Sequence, residues 1–198
     1  MNLDDYRTLF MLTVLGFVLI FSVPIFNIFV TVDEDSGKFS EFWLLGSNQM
    51  VGDYPFYVNG TEEYTVSLGV GNHMGSSEYY KICVKFSNST EFLPNPDIGL
   101  PSVLPCLVEY QFFISDSGVW EAPISFRFKD MFVQDDVLSV TNIALNGEII
   151  PVSASANWDS EEERYFFDLF FELWRYDVES DNFIFDNRFL TLSLNINV

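Results

Sequence analysis

From Tyr64 onward, apolar side chains recur at every second position, and that period limits the fold more than any other feature of the chain. Tyr64, Val66, Leu68 and Val70 alternate with Thr65, Ser67, Gly69 and Gly71. Tyr80, Ile82, Val84 and Phe86 alternate with Lys81, Cys83, Lys85 and Ser87, and Ile124, Phe126 and Phe128 with Ser125, Arg127 and Lys129. Leu190, Leu192, Leu194 and Ile196 keep the same rule. A strand sends successive side chains to opposite faces, so each run predicts a half-buried strand. Further strands are expected over residues 39–46, 107–114, 137–145 and 164–176. Asn146-Gly147 is a two-residue hairpin signal, since a type I′ turn needs positive φ at both positions. Roughly eight strands at this spacing predict an all-β fold, a two-layer antiparallel β-sandwich of immunoglobulin-like kind. Residues 88–105 and 153–163 read as long surface loops.

Ahead of this region the pattern is different. Between Arg7 and Asp33 no residue is charged, and residues 9–32 are interrupted only by Thr13, Ser22, Asn27 and Thr31 among polar types. As a helix at about 1.5 Å per residue, that run can cross a hydrocarbon core of about 30 Å. The alternative is a cleaved signal peptide. The residues before the run include Asp4 and Asp5 rather than a basic cluster, and no small-x-small cleavage site follows, which favours a retained anchor. Pro24 is expected to kink the helix or mark its exit. The expected organisation is a short cytoplasmic tail over residues 1–8, a transmembrane helix over 9–32 and an extracytoplasmic domain over 33–198. Arg7 beside the membrane, set against Asp33-Glu34-Asp35 on the far side, gives a slight bias to that orientation. Two N-x-[ST] sequons, at Asn59 and Asn88, agree with a domain outside the cell and mark candidate glycosylation sites.

Charge excludes one class of partner. The chain has 9 Lys plus Arg against 29 Asp plus Glu, a formal net charge of −20. Nucleic-acid binding needs a basic face that displaces counterions, and no two basic residues are adjacent here. Attraction to an anionic lipid surface fails for the same reason.

Several segments in order resemble an archaeal family of predicted membrane proteins that carry domain of unknown function 1616. They are Phe39-Ser40-Glu41-Phe42-Trp43-Leu44-Leu45-Gly46, Asp53-Tyr54-Pro55, Val70-Gly71-Asn72-His73 and Trp120-Glu121-Ala122-Pro123. The closing hairpin, from Phe171-Glu172-Leu173-Trp174 through Arg188-Phe189-Leu190 to Leu194-Asn195, continues the match. Many relatives carry several N-terminal membrane helices where this chain has one, and Met74 stands where an acid usually follows the Asn-His pair. The resemblance implies an archaeal membrane protein with an external β domain, and no activity.

No recognisable catalytic constellation is present. His73 is the sole histidine and cannot build a zinc shell unaided, so it reads as part of the turn after a strand. Asp177-Val178-Glu179-Ser180-Asp181-Asn182 imitates the start of an EF-hand loop, but the glycine at the sixth position is missing and Arg188 stands where the bidentate Glu belongs. Acidic clusters read as a solvated face. No catalytic, cofactor-binding or metal-binding residue is expected. Cys83 and Cys106 are an even pair in an exported domain, which suggests a disulfide worth about 3 kcal/mol. The strand phase is mixed, because Cys83 shares the outer face of Lys81 and Lys85 while Cys106 is in register with inward-looking Val108 and Tyr110.

The segment 164–176 is aromatic on both faces. Tyr165, Phe167, Leu169, Phe171 and Leu173 fill one face, which leaves Phe166, Phe170 and Trp174 pointing the other way as candidate interface anchors. In the bland alternative, residues 153–163 or 39–45 fold over them. The expected function is binding or assembly with another protein or a glycan, and not catalysis. The alternative is an accessory subunit of a membrane enzyme or transporter complex.

Overall fold

The computed structural model describes residues 6–7, 10–17, 37–60 and 62–197. The chain divides into two units, Met1–Lys38 and Phe39–Val198. In the first, residues 6–7 and 10–17 are helical. Among the described residues no helix is long and apolar enough to cross a membrane, and most of the expected 9–32 span lies outside them.

Among the described residues the second unit contains ten strands: β1 (Phe39–Leu45), β2 (Tyr57–Asn59), β3 (Tyr64–His73), β4 (Glu78–Ser87), β5 (Val108–Ile114), β6 (Val119–Gln134), β7 (Val137–Leu145), β8 (Glu148–Asn157), β9 (Tyr165–Asp177) and β10 (Asn182–Asn197). They form two five-stranded sheets. The first has the order β1-β3-β6-β7-β8 and the second β2-β10-β9-β4-β5. Every pair is antiparallel except β2, which lies parallel to the end of β10. The alternating residues of both sheets meet in one core: Val66, Leu68, Ile124 and Phe126 from the first face Ile82, Val84, Phe167 and Leu169 from the second, and all are fully buried. This is the two-layer arrangement that period-two sequences require.

Local chemistry sets two of the turns and contacts. Asn146 and Gly147 have φ of 48° and 83°, as a type I′ hairpin demands. The Asn146 side chain then ties neighbouring strands, accepting from the Ser125 N–H at 2.8 Å and donating to the Tyr110 hydroxyl at 2.8 Å. Gly69 has no side chain because Trp43 lies on it. A Cβ there would stand 2.0 Å from the indole, whose Nε1 donates to Glu121 one strand further on.

One expectation needs correction, and two further features lie beyond what alternation shows. Residues 153–157 belong to β8 and are not part of a loop. Their small side chains, Ser153 to Ala156, gave too weak an apolar signal to mark a strand. In β7 the burial phase changes between Val140 and Asn142, where a bulge absorbs Thr141. The short β2 falls below any periodic signal.

Candidate binding surface

The outer face of the second sheet has two zones. In the first, residues 88–106 fold back across β4 and β9. This segment includes short 3-10 turns at Thr90–Phe92 and Pro96–Ile98, capped by the Ser89 and Asn95 side chains. Cys83 and Cys106 are joined in a disulfide with Cα atoms 5.4 Å apart, fixing the end of the segment to the outer face of β4. Beneath it, Lys85 Nζ meets Glu172 Oε2 at 2.9 Å with both side chains buried. The Ser102 backbone closes the pair: its carbonyl accepts from Lys85 Nζ at 2.8 Å and its N–H donates to Glu172 Oε1 at 2.7 Å. Each ion thus has further hydrogen bonds, the condition under which a buried pair is tolerated.

The cover explains where the predicted residues lie. Phe170 sits between Lys85 and Thr191 in register and is fully buried, so it offers no surface for an interface. Neither 153–163 nor 39–45 supplies the bonds that close this zone; Ser102, in the segment 88–106, does. Phe166 is half-buried, with the Arg164 guanidinium 5.3 Å from its ring. Asp168, beside Ser87 and Ser193 in register, is buried, and only its Oδ1 has a partner, the Ser193 hydroxyl at 2.8 Å. Burial holds its carboxyl above the usual range, and the Ser193 bond opposes that only in part.

Trp174 stands in the second zone, which is open. Its Nε1 donates to Glu172 Oε2 at 3.1 Å, so Glu172 marks the boundary between the zones. Beyond it, aromatic rings from four strands share the face: Phe113 of β5, Tyr79 of β4, Trp174 and Tyr176 of β9, and Phe183 and Phe185 of β10. Tyr79 stacks on Phe113 with centroids 4.2 Å apart and lies 5.1 Å from Phe183. Tyr176 meets Phe183 at 5.4 Å, and Trp174 meets Phe185 at 5.8 Å. Lys81 places its ammonium 5.2 Å from the Trp174 ring and 4.9 Å from the Phe183 ring, and pairs with Glu109 at 3.2 Å. The Tyr79 hydroxyl donates to Gln111 Oε1 at 2.6 Å. Phe113 is 74% exposed and the other rings are half-buried. The sequence reading missed all of this except Trp174, because β4, β5 and β10 each contribute only one or two rings.

A separate groove of about 560 Å³ opens between β1 and the β10 bulge, lined by Glu41, Trp43, Asn187 and Arg188 among others. Nearby, His73 stacks on Phe39 at 4.7 Å and lies 3.5 Å from Glu41. Among the described residues no group of three or more His, Cys, Asp or Glu side chains could hold a metal ion. Asn88 and Asn59 are both exposed; the Asn88 side chain donates to the Ser155 carbonyl, and Thr61 of the other sequon lies outside the described residues.

No family model matches the chain, and no curated protein sequence matches it significantly. Solved structures similar to it include the CARDB domain of a Pyrococcus furiosus protein in complex with di-metal ions, at 8% identity and a TM-score of 0.41, covering 81% of this chain and 90% of that one. A FixG-related protein from Vibrio parahaemolyticus aligns at 11% identity and 0.34, over 80% of this chain and 97% of its own. A PapD-like domain of human CEP192 aligns at 7% and 0.30, over 81% and 84%. None of the three reaches a TM-score of 0.5, and none lends this chain a ligand or a partner.

Proposed function

We propose that this chain is a single-pass surface protein whose immunoglobulin-like domain works by contact with another protein or a glycan, and not by catalysis. The observation that carries the reading is the open aromatic zone of the second sheet. Six rings from four strands stand on a face where a sandwich ordinarily shows polar groups to water, and grouped partly exposed aromatics of this kind are typical interface anchors. The uncharged run 9–32 supports the anchor, with the domain outside and the tail inside. The sequons at Asn59 and Asn88 and the Cys83–Cys106 bridge suit an oxidising, extracytoplasmic compartment.

Site-specific photo-cross-linking in native membranes tests the contact surface. A photoreactive group at Phe113 or Trp174 is expected to capture a partner that one at Ile149, exposed on β8 of the other sheet, does not. Equal capture from both sites overturns the assignment. Protease added to intact cells is expected to remove the domain beyond residue 33, and full protection overturns the topology.

A further inference from the structure

We infer that the occupant of the aromatic zone is a basic, extended segment of a partner protein, which adds as a further strand beside β5. This rests on the reading of that zone as the contact surface.

Four strands border the two sheets: β1, β8, β2 and β5. Three of them are poor templates for a newcomer. β2 is three residues long, β8 carries Pro151 within its span, and β1 leans against β10 of the opposite sheet. β5 runs for seven residues, Val-Glu-Tyr-Gln-Phe-Phe-Ile, with no proline, no lysine and no shift in its register with β4. Apart from the one charge of Glu109, this edge has none of the usual blunting devices, and it presents a row of backbone donors and acceptors ready for strand addition. Its inner side chains are already committed, Phe112 stacking on Trp120 at 3.9 Å and the Tyr110 hydroxyl accepting from Asn146. Its outer side chains, Glu109, Gln111 and Phe113, continue the aromatic zone to the edge, so one segment could engage both.

Charge selects the occupant. The chain carries a net −20, so a second copy of it is the least favourable neighbour. Acids lie close to β5: Glu109 on its outer face, paired with Lys81 at 3.2 Å, Asp116 in the turn that follows, where it accepts from Gly75 at 2.9 Å, and Glu148, two residues beyond the Asn146 that bonds Tyr110. Lys81 already shows how a cation is held here, poised over Trp174 and Phe183. The open ring of Phe113 can receive a lysine or arginine of the added strand in the same way.

The test uses the full chain in detergent and three synthetic peptides: alternating lysine–threonine, alternating glutamate–threonine, and alternating lysine–proline. Amide exchange is followed residue by residue. The lysine–threonine peptide is expected to slow exchange within Val108–Ile114, and Phe113→Ala to weaken its binding about two- to five-fold, the worth of one exposed cation–π contact. The glutamate peptide is expected to do nothing. The lysine–proline peptide has the charge but lacks every second N–H and has its proline φ held at about −65°, so it should protect β5 far less. Equal protection by either control, or none by the first peptide, overturns the inference. Capture at Trp174 with β5 unprotected would overturn strand addition and leave the contact surface standing; protection of β5 without capture at Trp174 would do the reverse.

Discussion

At one end of the second sheet's outer face, Lys85 and Glu172 lie beneath residues 88–106, with side chains 4% and 0% exposed. Four residues back along β4, on the same face, Lys81 stands 16% exposed over the rings of Trp174 and Phe183. The two lysines share a strand and a face, and each has an acidic partner on a neighbouring strand, yet one belongs to the interior and the other to the surface. Strand phase decides which face a side chain joins. Whether that face is dry depends on what crosses it, and here one disulfide-tethered segment divides it in two. The covered half holds charge and polar groups that contribute to stability, while the open half holds aromatic area left for contact. Substitutions in the two halves should therefore separate stability from binding.

The largest effect is expected at Glu172. Glu172→Gln leaves the Lys85 ammonium buried without a countercharge, a loss of about 3–5 kcal/mol in unfolding free energy. Adding Lys85→Met removes the stranded charge, while the substituted amide oxygen still accepts from Ser102, so most of the loss should return. Urea unfolding of the two variants checks both. A double variant no better than the single one would show that the segment 88–106, and not the ion pair, limits stability there.

Next comes the tether. With its ends at a sequence separation of 23, the Cys83–Cys106 bridge should contribute about 3 kcal/mol in the chain-entropy account. A variant with Cys83→Ala and Cys106→Ala should unfold at correspondingly lower urea, and reductant should shift the parent protein but not the variant. Exchange should quicken in residues 88–106, while β5 and the open aromatic zone keep their protection. Uniform loosening of both halves would break the distinction drawn between them.

These two features also show where the sequence is legible and where it is not. The inward residues of β3, β4, β6, β9 and β10 follow from alternation alone, because their faces meet only the opposite sheet. The segment 88–105 contains no periodic pattern, so nothing in it announces that it crosses a sheet. For that reason alternation leaves Phe170, whose phase puts it outward, open as a candidate anchor, and the structure buries it. The same cover resolves the mixed phase of the cysteines: Cys83 does point outward, and the returning chain brings Cys106 over it. Trp174 was reachable from sequence because its strand is aromatic on both faces. Phe113, Tyr79 and Phe183 were not, since each is one ring on a different strand and only sheet order brings them together.

A smaller and pH-dependent effect is expected at Asp168. Burial raises its carboxyl pKa in the folded protein, so between the unfolded and folded values the native state holds the proton more tightly. Its stabilising share is complete below the unfolded value and is lost as pH rises through the folded one; at neutral pH the buried carboxylate is a net burden. Asp168→Asn should therefore raise the urea midpoint at pH 7, and its advantage should shrink as pH falls toward 3. A gain that is constant with pH would point to packing and not to ionisation.

The smallest effect on stability, and the sharpest contrast, is expected at Phe113. Its ring is 74% exposed and touches the domain chiefly through the stack on Tyr79, so Phe113→Ala should cost about 0.5–1 kcal/mol, the worth of one aromatic pair. Binding should respond far more, because a ring at the meeting point of the open face and the β5 edge contributes little to folding and much to any strand laid beside it. The two readouts, urea midpoint and partner capture, are to be measured on the same variant. A loss above about 2 kcal/mol would be a core-like value. It would mean that Phe113 holds β5 against β4 and is not a surface held open for a partner. The open half would then be only a thinner version of the covered one.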